Sequence, residues 1–188
     1  MVRHGAGHER LVDHERGFLE AGVDVVEYTP ACDDRGGFTE LWEPAAFADQ
    51  GLLSDIDQVS SAYNLRANTL RGMHLQNAPF AQTKIVSCTA GAIYDVIIDL
   101  RPGSPSYKRW FNVELHASMP CAVYIPAGFA HGYLTLKDNS TVHYLIGGKY
   151  SPGHARGVRW NDPAFGIRWP AEPAIIAPRD AQFPDLTE

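Results

Sequence analysis

The segment AIYDVIIDL (Ala92–Leu100), the turn RPGSP (Arg101–Pro105) and the run YKRWFNVELH (Tyr107–His116) decide the fold. The first is apolar on both alternating faces, the pattern of a central strand covered on both sides. The last alternates, with Tyr107, Arg109, Phe111, Val113 and Leu115 sharing one face. The Pro and Gly between them mark a reversal of the chain. Outward from this pair the pattern repeats. VDVVEY, LRGMHL, TKIVSCT, CAVYIP, GYLTL and TVHYLI are short runs rich in β-branched and aromatic residues. The turn signals QNAP, TAG, ASMP, PAGF and KDNS separate them. No helical pattern of 10–15 residues falls between strands, which excludes alternating strand–helix architecture. Many short strands at regular spacing imply a β-sandwich or barrel.

The flanks carry less structure. PAAFADQGLL (Pro44–Leu53) reads as one short helix with Pro44 at its start. After Ser151 the pattern fades into Pro-rich coil. Residues 1–20 are rich in His and Arg and poor in apolar residues, so they are expected to be a tail. Residues 21–188 are then a single β-domain.

Composition bounds the function. The chain has 188 residues, 45% hydrophobic and 20% charged, enough for one domain with a core of its own. Lys plus Arg is 16 and Asp plus Glu is 22, a formal charge of −6. That balance argues against a nucleic-acid surface, while leaving room for a local anion pocket. Twelve of the 16 cations are Arg, whose fork suits phosphate. Cys32, Cys88 and Cys121 are odd in number and form no C-x-x-C pair, so they read as small apolar fillers in a reducing compartment. No apolar run approaches membrane-span length and the N-terminus lacks a signal-peptide core. The expectation is a soluble cytoplasmic protein with no membrane and no nucleic-acid partner.

Two of the eight histidines sit in strand contexts, His74 in RGMHLQ and His131 in PAGFAHGY. A metal site in a β-barrel needs an H-x-H pair, a carboxylate and a later His. Gln76 occupies the position of the second His, which disfavours a metal-dependent barrel oxygenase or isomerase.

These residues carry a resemblance. RGMHLQ (Arg71–Gln76), Lys84, GAIYDVIIDLRPGSPSYKRW (Gly91–Trp110), IPAGFAHGY (Ile125–Tyr133), Tyr144, KYSP (Lys149–Pro152) and RWNDPAFGIRWP (Arg159–Pro170) occur in the order found in dTDP-4-dehydrorhamnose 3,5-epimerases. DDRGGFTE (Asp33–Glu40) resembles that family's D-x-R-G-x-F-x-E element. The likeness covers roughly residues 23–185. It implies an all-β cupin-type jelly roll with short peripheral helices, a homodimer whose N-terminal strand crosses to its partner, and an isomerase without metal or other cofactor. It also implies the substrate: a nucleotide-linked 4-keto-6-deoxyhexose, dTDP-linked in the family, inverted at C3, C5 or both.

The chemistry needs these residue types. Removing a proton beside a ketone takes a base on one face of the sugar and a stabilised enolate oxygen. Inversion then takes a proton donor on the other face. By resemblance the base is His74, oriented by Asp180 in APRDAQFP. Lys84 stands near the keto oxygen, and Tyr144 is the opposing acid. His131 is a second pocket histidine. Arg35 and Arg71 match pyrophosphate contacts, Glu40 a residue near the nucleotide, and Tyr150 a pocket aromatic. Arg179 stands where the family often has Lys before the orienting Asp. Departures fall on recognition: QVSSAYN (Gln58–Asn64) lacks an Asn two residues after Gln58, and Pro79 and Phe80 follow QNA. Two alternatives share the barrel: a non-catalytic nucleotide-sugar binder and a 3,4-ketoisomerase on the same substrate class.

Overall fold

A computed structural model describes residues 2–4, 21–52 and 54–186. Two antiparallel sheets form a sandwich. The first runs β1 (Val2–His4), β2 (Asp24–Tyr28), β10 (Cys121–Ile125), β7 (Thr83–Ala90), β12 (Ser140–Gly147), β5 (Gln58–Asn64). The second runs β13 (Ala155–Gly157), β6 (Thr69–Gln76), β11 (Phe129–Thr135), β8 (Ala92–Asp99), β9 (Trp110–His116). A two-residue strand, β14 (Ile175–Ile176), adds to β6 in parallel. The order places sequence-distant strands side by side, as in a jelly roll. β3 (Ala31–Asp33) and β4 (Gly36–Phe38) make a separate exposed hairpin.

Alternation along each strand builds three apolar layers. Val86, Cys88, Ile93, Ile97, Val123, Ile125, Phe129 and Tyr133 meet between the sheets. Ile85, Ala122 and Tyr124 point the other way and are covered by Phe47 of α1 (Pro44–Asp49). Met73, Val96, Ile98 and Ala130 face outward from the second sheet. The C-terminal coil covers them with Val158 and Phe165. β8 is covered on both faces, as its composition requires, and lies between β11 and β9.

The helix is shorter than the sequence suggests. Glu43 caps it by accepting the Ala45 and Ala46 N–H groups, and it ends at Asp49, because its apolar contact to the sheet is Phe47 alone. Leu53, the last residue of the expected helix, lies outside the described residues. Of the expected tail, residues 2–4 form a strand antiparallel to β2. Residues 5–20 lie outside the described residues. The RPGSP reversal is a locked loop: the buried Asp99 carboxylate accepts Arg101, Ser104 and Ser106. Burial pushes that carboxyl up, but these donors outweigh it and hold it well below the usual carboxylate range. Cys88 and Cys121 fill the core as expected, whereas Cys32 is exposed on the hairpin. No helix among the described residues is long and apolar enough to cross a membrane.

Candidate active site

The site begins with an irregularity in β6. His131 pairs with His74, and Tyr133 with Arg71, so two steps on β11 oppose three on β6. The extra residue is a β-bulge, and it lets Arg71 and His74 face the same side although they are three apart. Gly72 makes this possible. It has φ +126°, and a Cβ there would lie 2.5 Å from the Gly132 Cα and 2.8 Å from the His131 carbonyl oxygen.

The bulge also presents an N–H to the C-terminal helix α2 (Pro178–Ala181). Asp180, 5% exposed, accepts the Gly72 N–H at 3.0 Å with one oxygen and meets His74 Nε2 at 2.8 Å with the other. Burial alone would raise the Asp180 carboxyl. The bonds from His74 and Gly72, with the charge of Arg179, bring it below its usual range. A carboxylate so anchored fixes the orientation of the imidazole ring. Phe183 packs edge-on against His74 at 5.8 Å, and the Arg179 guanidinium lies over the Phe183 ring at 5.6 Å.

Lys84 comes from the opposite sheet and donates to the His74 carbonyl oxygen at 3.3 Å. Burial pushes its ammonium down to about 8, with Asp95 partly offsetting the fall. His131 is 3% exposed and meets Asp95 at 2.8 Å. Burial raises the Asp95 carboxyl and lowers the His131 imidazole, moving both toward their neutral forms. Among the described residues the second Asp95 oxygen has no hydrogen-bond partner. Tyr144, also from the opposite sheet, packs its ring against His131 at a centroid separation of 6.0 Å. Burial, the Tyr133 hydroxyl and the Asp95 charge raise the Tyr144 phenol well above its ordinary value, so it keeps its proton at neutral pH.

Seven of the ten residues picked from the sequence therefore meet in one cluster: His74, Asp180, Lys84, His131 and Tyr144, with Arg71 and Arg179 at its margins. Arg71 donates to Asn64 at 2.7 Å and reaches the Tyr63 carbonyl. Three do not join it. Arg35 sits on the β3–β4 turn, 90% exposed, with its guanidinium on Asp33. Glu40 follows that hairpin in the open. Tyr150 is 60% exposed beside Lys149 and Ser151, whose backbone Gln76 grips through its amide. Gln76 also donates to the Phe80 carbonyl, so this side chain organises loops. His154 is held by Ser151 at 2.8 Å and its ring lies tilted against Phe80.

Sequence reasoning missed Asp95, Tyr133 and Asn64. Asp95 had a signal: a carboxylate amid AIYDVIIDL cannot reach solvent and must find a partner. The other two had none, because a Tyr and an Asn near strand ends are ordinary.

The arrangement holds an oriented imidazole on one sheet, and a cation and a protonated phenol on the other. It suits removing a proton from carbon next to a carbonyl on one side and returning one from the other. Comparison with known proteins agrees. The family model described as dTDP-4-dehydrorhamnose 3,5-epimerase matches residues 20–188. A dTDP-4-dehydrorhamnose 3,5-epimerase of Sinorhizobium fredii is 41% identical over 173 residues, covering 89% of this chain and 87% of that one. The crystal structure of the Bacillus anthracis dTDP-4-dehydrorhamnose 3,5-epimerase, with TDP and PPi bound, superposes with a TM-score of 0.85 at 38% identity, covering 87% of this chain and 94% of that chain. A 3′-monoepimerase of Streptomyces bikiniensis in complex with dTDP-quinovose superposes at 0.81 and 34% identity, covering 87% and 83%.

Proposed function

The chain belongs to the dTDP-4-dehydrorhamnose 3,5-epimerase family, and on that premise we propose that His74 and Tyr144 carry its proton transfers from opposite faces of the sugar. The protein is an isomerase: it inverts C3, C5 or both in a dTDP-linked 4-keto-6-deoxyhexose, the chemistry of rhamnose and related deoxysugar synthesis. His74 takes the proton beside the ketone, and Asp180 holds the imidazolium that forms. The electron pair moves onto the keto oxygen, where the Lys84 ammonium stabilises the enolate. Tyr144 then delivers its proton to the carbon from the far side. His131 lines the pocket between them.

The observation that carries this reading is the anchored His74–Asp180 pair, on the sheet opposite the one that bears Lys84 and Tyr144. Four groups with complementary roles favour catalysis over a binding module, which has no use for an oriented base.

Recognition is assigned to the margins. Arg71 and Arg35 contact the pyrophosphate, with Glu40 and Tyr150 beside the nucleotide and Arg179 near the sugar. Arg35 lies on, and Glu40 just after, an exposed hairpin whose Phe38 is 77% exposed. In a homodimer this hairpin would reach the partner's pocket, which accounts for both its exposure and its charge. The reaction needs no bound cofactor, membrane or nucleic acid, and belongs to the cytoplasm, where nucleotide sugars are made.

Incubation with dTDP-4-keto-6-deoxyglucose in deuterium oxide, read by NMR, tests the reading. The wild type is expected to place deuterium at each centre it inverts. His74→Ala is expected to abolish exchange. Tyr144→Phe is expected to keep exchange and lose inversion. Exchange in the His74 variant, or full inversion in the Tyr144 variant, refutes the assignment.

A further inference from the structure

Gln76 stands two residues beyond His74, at the end of β6, and is 5% exposed. Its amide joins two loops at one rim of the cleft. Nε2 donates to the Lys149 carbonyl at 3.1 Å and to the Phe80 carbonyl at 2.7 Å, and Oε1 accepts the Ser151 N–H at 2.7 Å. Two carbonyls and one N–H call for a carboxamide, since a carboxylate has no hydrogen to donate. The Lys149 carbonyl and the Ser151 N–H belong to the two peptide groups that bracket Tyr150. Holding both planes fixes the direction in which the Tyr150 side chain leaves the backbone. The two loops are fastened again nearby. The Asn77 N–H donates to the His154 carbonyl at 3.0 Å, and His154 bonds Ser151 and packs against Phe80. Topology sets where this rim lies. The Tyr150 loop leaves β12, which carries Tyr144, and returns as β13, which pairs Gly157 with His74. Tyr150 thus stands at one end of the cleft between the two, its ring exposed on a backbone that is held.

We propose that Gln76 is a positioning residue for nucleotide binding, holding the Tyr150 ring ready to lie against the nucleobase. The inference rests on the reading of Tyr150 as a nucleotide contact. A base and a phenol ring attract each other face to face or edge to face, so the direction of the ring decides the contact. On an unheld loop that direction would have to be set as the ligand arrives. Ordering the backbone of one residue at that moment weakens binding by roughly five- to thirtyfold. The three bonds of Gln76 place the ordering in the folding step, so the free enzyme already presents the ring. The bond to Phe80 gives the amide a fixed point on the facing loop and leaves its other hydrogen for Lys149. The reacting end of the cleft does not depend on these bonds, because His74 has its own anchor in Asp180. A contact to the nucleotide is made equally before and during proton transfer. Its loss therefore raises KM and leaves kcat unchanged.

The experiment measures dTDP binding by titration calorimetry, and steady-state epimerisation of dTDP-4-keto-6-deoxyglucose, for Gln76→Met, Tyr150→Leu and the double variant. Gln76→Met keeps the length of the side chain and removes all three bonds. It is expected to weaken dTDP binding about tenfold and to raise KM by a similar factor, with kcat within about threefold of wild type. Tyr150→Leu is expected to weaken dTDP binding by roughly tenfold or more. Because Gln76 acts through Tyr150, the double variant is expected to bind dTDP within about twofold of Tyr150→Leu alone. Gln76→Glu has the same shape, keeps an acceptor for Ser151 and loses both donors. It is expected to follow Gln76→Met, and it gives the same readout should the methionine variant fold poorly. Wild-type dTDP affinity in the Gln76 variants, beside weakened binding in Tyr150→Leu, overturns the inference and leaves the Tyr150 reading standing. So does a fall in kcat with dTDP binding unchanged, which would place the effect of the amide on His74. An equal further loss in the double variant also overturns it, since a purely structural role would act in either background. Unchanged dTDP binding in Tyr150→Leu overturns both.

Discussion

Lys84→Met is expected to make the protein more stable and less active. An unfolded lysine holds its proton up to about pH 10.5, and the folded Lys84 only up to about 8. Between those values the unfolded chain binds more protons, so stability rises with pH there. Below pH 8 the whole penalty for the buried ammonium is present. At about 1.4 kcal/mol per tenfold, the interval corresponds to roughly 3 kcal/mol. Methionine keeps the length and apolar stem and removes the charge. Asp95 keeps its bond to His131 and shifts further toward its neutral form, which offsets part of the gain. The expected net effect at pH 7 is about 1–3 kcal/mol of added stability, a rise of roughly 3–10 °C in melting temperature for a chain of this size. Turnover should fall by about 10²–10³-fold, the loss of a charge aimed at a developing oxyanion. Calorimetry of both proteins from pH 6 to 10.5 reads the first effect, and the methionine advantage should shrink between pH 8 and 10.5. A variant less stable than wild type at pH 7, or an advantage that does not narrow with pH, refutes the reasoning.

Two further substitutions test how the base is held. Asp180→Asn leaves one oxygen for two donors, the Gly72 N–H and the His74 ring N–H, and its amide N–H₂ would impose the wrong imidazole tautomer. Turnover is expected to drop by roughly 10²–10⁴-fold with KM little changed, and a drop under tenfold in steady-state kinetics would count against the dyad. Gly72→Ala drives a Cβ into the Gly132 backbone at a positive φ. It is expected to destabilise by about 2–4 kcal/mol in denaturant titration, and an unchanged midpoint would show that β6 and β11 do not need their close approach.

Much of the sandwich was legible because it is written locally. Period-two alternation and Gly/Pro punctuation mark strands wherever they occur, and AIYDVIIDL announced a doubly covered strand through composition alone. His74, Lys84, His131, Tyr144 and Asp180 were found through motifs of fixed order and spacing. The pairing of Asp95 with His131 was not found, because 36 residues separate them and β8 must lie beside β11 before they meet. The same holds for Asn64 and Tyr133, brought from β5 and β11 on different sheets.

The order of residues by itself determined the strand content and the all-β class, since these depend on side-chain type and near neighbours, and its motifs, through their resemblance to a family, supplied the candidates for the reacting groups. Tertiary structure alone decided which faces those groups share. A bulge at Gly72 turns His74 to the side of Arg71, a helix over a hundred residues away supplies its carboxylate, and the opposing sheet supplies the cation and the phenol. Burial then shifted Lys84, Asp95, His131 and Tyr144 toward their neutral forms, because desolvation is a property of the packed interior, and no stretch of sequence contains it.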